Sequence, residues 1–403
     1  MSLPLNIRQN FPFLHQKHAS GRPWIYLDSA ATTLKPRHVI ETVTNALALH
    51  STNVHRSVYG LGDETTELFE SARHRIARFI GAQAHEIVFV RNTTEALNIV
   101  ARCYPRDGAT VISLSEHHSN LLPWRQGKIK SVPPHHNGRP NLDAITEELK
   151  KGDVSVVSIS HISNVTGFLT DIRSLADVVH RHGAILVVDA AQSAGRMPID
   201  VSELDCDFLA CSGHKMYGPT GIGILYGKAE RLHELQLHQT GGGTVESVSQ
   251  SGYGWRAIPW RFEAGTPAIE AVLGLGSAID YLQDLGMEEV ARHELELAAY
   301  ARKQLQRIDR CELFEKNSDE SRLGVVSFFV QDESSHVITR TLSDRYGICV
   351  RSGYHCAQPL HDHLQIPPTI RLSFGIYNQR DEIDQCITAL AELMEVMPAR
   401  HSI

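Results

Sequence analysis

Val187-Val188-Asp189-Ala190-Ala191-Gln192, read together with Cys211-Ser212-Gly213-His214-Lys215-Met216-Tyr217-Gly218-Pro219, decides how this chain folds. The first piece closes an apolar, β-branched run that begins at Ala184. That is the pattern of a strand buried on both faces of a parallel sheet. An Asp at the carboxyl end of such a strand sits where open α/β sheets bind ligands. The second piece places a lysine among glycines and small polar residues. A lysine amine whose charge is suppressed by its surroundings can form a Schiff base. Asp189 and Lys215 can grip one aromatic aldehyde from two sides. The amine takes the carbonyl carbon and the carboxylate holds a protonated ring nitrogen, as pyridoxal phosphate requires. Singly, Asp189 reads as a turn cap and Lys215 as a surface residue; the inference rests on the pair.

Strands and helices alternate outward from this pair. Glu86–Val90, Thr110–Leu114, Val154–Ile159, Phe208–Cys211 and Gly223–Tyr226 read as strands. Pro36 opens a helix through His50, and helical spacing predicts further helices over Glu64–Ile80, from Thr93, and over Ile172–His182. This alternation predicts a mostly parallel sheet covered on both faces. Thr240–Gly265, rich in Gly, Ser and Trp, reads as a long ordered loop of functional kind. Helices are predicted over Pro267–Leu285, Glu288–Ile308, His336–Tyr346 and Arg380–Met394, and strands at Trp24–Leu27, Gly324–Val330, Cys349 and Ile370–Phe374. The expected division is a large domain over 21–275 and a smaller α+β domain over 276–403, which also takes the N-terminal arm 1–20.

At 403 residues and 42% hydrophobic, the chain can bury at least one large core. A net charge of -7, with both signs scattered, gives no sign of a nucleic-acid or membrane partner. The 7 cysteines are odd in number and widely spaced, without a CxxC pair, which favours a reducing compartment over a disulfide framework. The start lacks a signal-peptide layout, so the expected location is cytoplasmic. His135-His136 and His361-Asp362-His363 read as surface, and no metal site is expected.

Several further residues fall at presumed strand ends. Thr93-Thr94 follows a strand and opens a helix, a place suited to phosphate; Ser212 and His214 can donate to the same group. His117, in Ser115-Glu116-His117-His118, can stack on a cofactor ring and carry protons near pH 7. Asn164 lies at a third strand end. Near the C-terminus, Arg351-Ser352-Gly353-Tyr354-His355-Cys356-Ala357-Gln358-Pro359 places a cysteine in an exposed loop beside an arginine and a histidine, which favour thiolate. Cys103, Cys206, Cys211, Cys349 and Cys386 read as small buried hydrophobes. Arg371 can hold a carboxylate with its forked guanidinium.

These residues resemble the class V aminotransferase-like pyridoxal phosphate enzymes of fold type I. Among them they resemble the group II cysteine desulfurases of Suf and Csd type, and the related selenocysteine lyases. The similarity runs from Tyr26-Leu27-Asp28-Ser29-Ala30-Ala31 to Arg371-Leu372-Ser373-Phe374-Gly375. It is carried by Asn53-Val54-His55-Arg56, Asn92-Thr93-Thr94-Glu95, Asp189-Ala190-Ala191-Gln192, Ser212-Gly213-His214-Lys215, Gly241-Gly242-Gly243, Phe262-Glu263-Ala264-Gly265-Thr266-Pro267 and His355-Cys356-Ala357-Gln358-Pro359. The resemblance implies Lys215 as the Schiff-base lysine, Asp189 as pyridinium partner, and Gln192 as donor to the phenolic oxygen. It further implies His117 on the ring, and Thr93, Thr94, Ser212 and His214 at the phosphate, with Thr266 supplied by the other subunit of a homodimer. Asn164 is implied beside cofactor and substrate. Arg371, Arg351 and His55 would hold the substrate carboxylate, and Cys356 would accept sulfur as a persulfide for a further acceptor. L-cysteine is the implied substrate, with selenocysteine, cysteine sulfinate or a C–S lyase reaction independent of Cys356 as the alternative. Iron–sulfur assembly and a specialised biosynthesis both remain open. Two departures stand out: Tyr354 where many relatives carry a polar residue, and a shortened segment at Leu122–Gly127.

Overall fold

The strand Ile185–Asp189 lies at the centre of a seven-stranded sheet in a computed structural model that describes residues 3–4, 6–314 and 322–396. From one edge the order is Ile87–Val90, Gly223–Gly227, Phe208–Ser212, Ile185–Asp189, Val154–Ser160, Ala109–Ser113 and Ile129–Val132. Gly223–Gly227 runs antiparallel to both its neighbours and the other pairings are parallel. The sheet is therefore mixed but mostly parallel. Its strands alternate between two cores: Leu186, Val188 and Leu209 point to one, Val187, Phe208 and Ala210 to the other. Both faces are covered, which explains why these strands read as continuous apolar runs.

Helices Arg37–Leu49, Gly60–Phe79 and Ile269–Leu285 cover one face, and Thr93–Cys103 covers the other. The helix expected from Glu64 starts one turn earlier, at Gly60. The Leu122–Gly127 segment is a short 3-10 turn, Pro123–Gln126, and Trp124 within it is fully buried. Its indole Nε1 donates to Asn120 Oδ1 at 3.2 Å. Trp124→Ala is expected to cost about 3–5 kcal/mol of stability, read as a lower urea midpoint.

A second, four-stranded antiparallel sheet is ordered Cys311–Leu313, Val325–Val330, Thr369–Ser373 and Arg351–Gly353, with its own apolar cluster. Helices Met287–Leu305, Ser335–Tyr346 and Arg380–Val396 contribute to that cluster. The expected break at 275/276 falls inside the helix Ile269–Leu285, whose buried residues belong to the larger core through Leu282. The arm joins both parts. Ile7, Phe11 and Leu14 pack in the larger core, while Arg8 Nη1 donates to Tyr377 O and to Glu382 Oε1.

The expected long loop over Thr240–Gly265 contains an exposed antiparallel hairpin, Val245–Val248 with Tyr253–Trp255, and a 3-10 turn at Trp260–Phe262. His361, expected at the surface, is fully buried on the helix Gln358–Leu364, with Nδ1 against Ala357 O and Nε2 against Thr369 Oγ1. His135, His136 and His363 are exposed as expected. Among the described residues, no group of three or more His, Cys, Asp or Glu is placed to hold a metal ion. No helix there is long and apolar enough to cross a membrane.

Candidate active site

The carboxyl ends of the parallel strands converge because neighbouring strands are in register: Ser160 lies opposite Asp189, and Asp189 opposite Ala210. One step past each end, the chain leaves the sheet and exposes side chains to a common cavity of about 310 Å³. Twelve of the fourteen predicted site residues line it. They are Thr93, Thr94, His117, Asn164, Asp189, Gln192, Ser212, His214, Lys215, Arg351, Cys356 and Arg371. His55 and Thr266 do not; they line a second cavity with Gly242, Gly243, Arg256 and Trp260. His55 Nε2 pairs there with Glu70 Oε1 at 2.7 Å.

Lys215 ends a single 3-10 turn after the strand Phe208–Ser212. Burial lowers its amine to about 8, although Asp189 opposes the shift. Asp189 is itself buried, which raises its carboxyl above the usual value, and Ala191 N donates to its Oδ1 at 2.9 Å. His117 was expected to carry protons near pH 7. Burial, and then the Lys215 charge, push it to about 3. Its Nδ1 accepts from Ser119 N at 3.1 Å, so the neutral ring carries its hydrogen on Nε2.

The phosphate-sized end is built on the helix Thr93–Cys103. Asn92 caps it, accepting from Glu95 N. Ser212 Oγ accepts from Thr93 N at 2.8 Å, and Thr94 Oγ1 meets Ser119 Oγ at 2.7 Å. A helix N-terminus flanked by hydroxyls favours a dianion.

The opposite wall comes from the second sheet. Arg351 and Arg371 stand directly opposite each other on adjacent strands. Two like charges so placed repel, and Asp28 offsets this. Arg371 Nη2 reaches Asp28 Oδ1 at 3.3 Å, and Arg351 Nη2 reaches Oδ2 at 3.1 Å. Asp28 arrives there because Ile25–Tyr26 pairs with Ile348–Cys349 and Asp28 bridges to Ser373. Arg371 also donates from Nη1 to Asn164 O at 3.0 Å.

Cys356 is exposed, with φ at 58°, next to His355 with φ at 50°. Two successive non-glycine residues in the left-handed region are strained, and hydrogen bonds from two strand-end loops pin them. Asn164 Nδ2 donates to His355 O at 2.7 Å, and His118 N to Cys356 O at 2.7 Å. Asn164 therefore spends its amide on the cysteine loop. Cys206, Cys211 and Cys386 are buried thiols, pushed up to about 12 by burial. Cys103 is buried as well, whereas Cys349 is only half-buried.

Sequence reasoning passed over Asp28 and Glu116, and it expected His355 to favour thiolate at Cys356; burial instead lowers the His355 imidazole to about 2, so the ring is neutral and brings no positive charge to the thiol. His355 lines the cavity; its Nε2 meets Thr369 Oγ1 at 2.9 Å and its buried Nδ1 has no partner. Glu116 is fully buried and raised to about 7 by that burial. It accepts from Ser160 N at 3.0 Å and Asn120 Nδ2 at 2.7 Å. The acidic turn at Asp28 and the Glu before His117 were the available signals.

The residues present fit pyridoxal phosphate. Gln192 Oε1 and Arg371 Nε are buried polar atoms without partners, and both side chains line the cavity. Gln192 Nε2 already donates to Ala30 O at 2.9 Å. The cavity pairs one buried carboxylate, for a ring nitrogen, with a helix N-terminus, for a phosphate, and a depressed amine, for an aldehyde.

Residues 25–386 match the aminotransferase class-V family model. A probable cysteine desulfurase from Halalkalibacterium halodurans is 42% identical, covering 96% of this chain and 97% of that protein. A cysteine desulfurase from Haloferax volcanii is 37% identical over 97% and 96%. Among solved structures, the apo cysteine desulfurase of Thermococcus onnurineus superposes with a TM-score of 0.92 at 36% identity, over 98% of this chain and 99% of that one. The cysteine desulfurase CsdA of Escherichia coli gives 0.89 at 34%, over the same shares. The chain belongs to the class-V aminotransferase family, on its cysteine desulfurase branch.

Proposed function

We propose that the protein is a pyridoxal phosphate-dependent cysteine desulfurase. It converts L-cysteine to L-alanine and takes the sulfur onto Cys356 as a persulfide for an acceptor thiol. The observation that carries this reading is one cavity lined both by a buried, depressed amine at Lys215 and by an exposed thiol at Cys356.

Pyridoxal phosphate, held by Lys215, Asp189, Gln192, His117 and the Thr93–Thr94 helix end, supplies an electron sink for the bonds of the substrate. Around it, Arg371 binds the substrate carboxylate through its unpartnered edge, with Arg351 beside it. Arg371→Lys is expected to raise the KM for cysteine roughly tenfold or more, because a point charge replaces the two-pronged contact, and steady-state kinetics read this directly. Lys215, unprotonated in part near pH 7, takes the Cα proton. The Cys356 thiolate then attacks the substrate sulfur: the S–S bond forms, the C–S bond breaks, and its electron pair stays with the carbon fragment. Protonation of that fragment gives alanine.

A homodimer completes the site in this reading. His55 and Thr266 line a cavity of their own, with glycine amides and Arg256 around it. Leu47, Leu49, Val58, Leu61, Val248 and Tyr253 are exposed apolar side chains, each suited to burial against a second copy. The test is the product ratio: purified holoenzyme with a thiol reductant should form alanine and sulfide from L-cysteine one to one. Pyruvate and ammonia in place of alanine would overturn the reading in favour of a C–S lyase.

A further inference from the structure

The carbonyl oxygen of His214, one residue before Lys215, is unusually crowded. It accepts from Thr33 N at 3.0 Å, Thr32 Oγ1 at 3.0 Å, Thr33 Oγ1 at 3.1 Å and Lys35 Nζ at 2.8 Å. A carbonyl has two lone pairs, so four donors signal a strong local positive field. Lys35 supplies it. Its amine also donates to Thr33 O and to Thr32 Oγ1, the latter at 3.3 Å, and none of its contacts is a carboxylate. An ammonium held by two carbonyls and a hydroxyl sits as a monovalent cation would. The same turn grips the far side of Lys215 as well, because Thr33 Oγ1 accepts from Tyr217 N at 2.9 Å. Tyr217 lies in the left-handed region, φ 63°, a conformation that needs external support.

We infer that Lys35 is a positioning residue, a tethered internal cation that fixes the His214–Tyr217 loop so that Lys215 presents its amine to the cofactor aldehyde. The inference rests on the proposed cofactor role of Lys215. Burial lowers the Lys35 amine to about 7, because the oxygens around it only partly replace water and no counter-charge opposes the shift, so the positioning ammonium is complete only below that pH. Removing the ammonium leaves an oxygen-lined gap that a small soluble cation can enter.

The experiment starts from cofactor-free protein. Lys35→Ala should capture pyridoxal phosphate, followed by its Schiff-base absorbance, roughly tenfold or more slowly than the parent. Amide exchange at Tyr217, measured without cofactor, should accelerate by a similar factor. Ammonium or methylammonium should restore both in a saturable way, and tetramethylammonium, too large for the gap, should not. Lys35→Gln fills the gap with a neutral donor; it should show the slow capture without rescue. Parental capture by Lys35→Gln, or ammonium-independent capture by a folded Lys35→Ala, would overturn the inference. If Lys35→Ala does not fold, Lys35→Gln decides alone. A parent that captures no cofactor would instead sink the role of Lys215.

Discussion

Lys215→Ala is expected to lower alanine formation from L-cysteine by about 10⁴-fold or more, measured in single-turnover reactions on protein loaded with cofactor. Two losses combine. The covalent anchor disappears, and so does the base that takes the Cα proton, a step worth about 10²–10⁴-fold on its own. Cofactor still binds at the Thr93–Thr94 helix end and Asp189, so the variant should be coloured but inert. The same amine leaves a mark on stability. Its value in the fold, about 8, lies below the ordinary 10.5, so the native chain releases this proton first. Between those values the unfolded chain binds more protons, and stability rises with pH. The rise for Lys215 in cofactor-free protein is on the order of 3 kcal/mol. Lys215→Met should remove that part of the rise and be more stable than the parent at pH 7. Lys35 titrates from about 7 in both proteins and drops out of the difference.

Cys356→Ser is expected to lower sulfur release from L-cysteine at least about a hundredfold, with cofactor absorbance unchanged. The serine hydroxyl is a far poorer nucleophile toward sulfur than a cysteine sulfur. The loop should not collapse, because it is held at its carbonyls by Asn164 and His118 and not by the thiol. Loss of activity can then be assigned to the sulfur atom itself. Alanine release at the parental rate from this variant would show that sulfur leaves the substrate without Cys356.

The strand-end arrangement was legible because the chemistry-bearing residues follow apolar, β-branched runs directly. Asp189, Ser212 and Ser160 are the last residues of their strands. The edge strand Ile129–Val132 was not legible, because Lys130 and Ser131 dilute its apolar signal. Arg351–Gly353 has no strand propensity of its own and is extended by pairing with Thr369–Ser373. Asp28 could not be matched to its arginines from spacing, since they lie 323 and 343 residues away. His361 reads as polar surface beside Asp362 and His363, yet its ring faces inward to Thr369. His55 follows a motif, but its position in the fold turns it to Glu70 and the second cavity, away from Lys215. Tertiary contacts decided each of these.

The mass of the peptide containing Cys356, taken after brief exposure of the holoenzyme to L-cysteine without reductant, tests the central claim most directly. The account predicts a gain of one sulfur atom on Cys356, erased by added thiol and absent in Lys215→Ala. An unmodified Cys356 in protein that has meanwhile released alanine would contradict it.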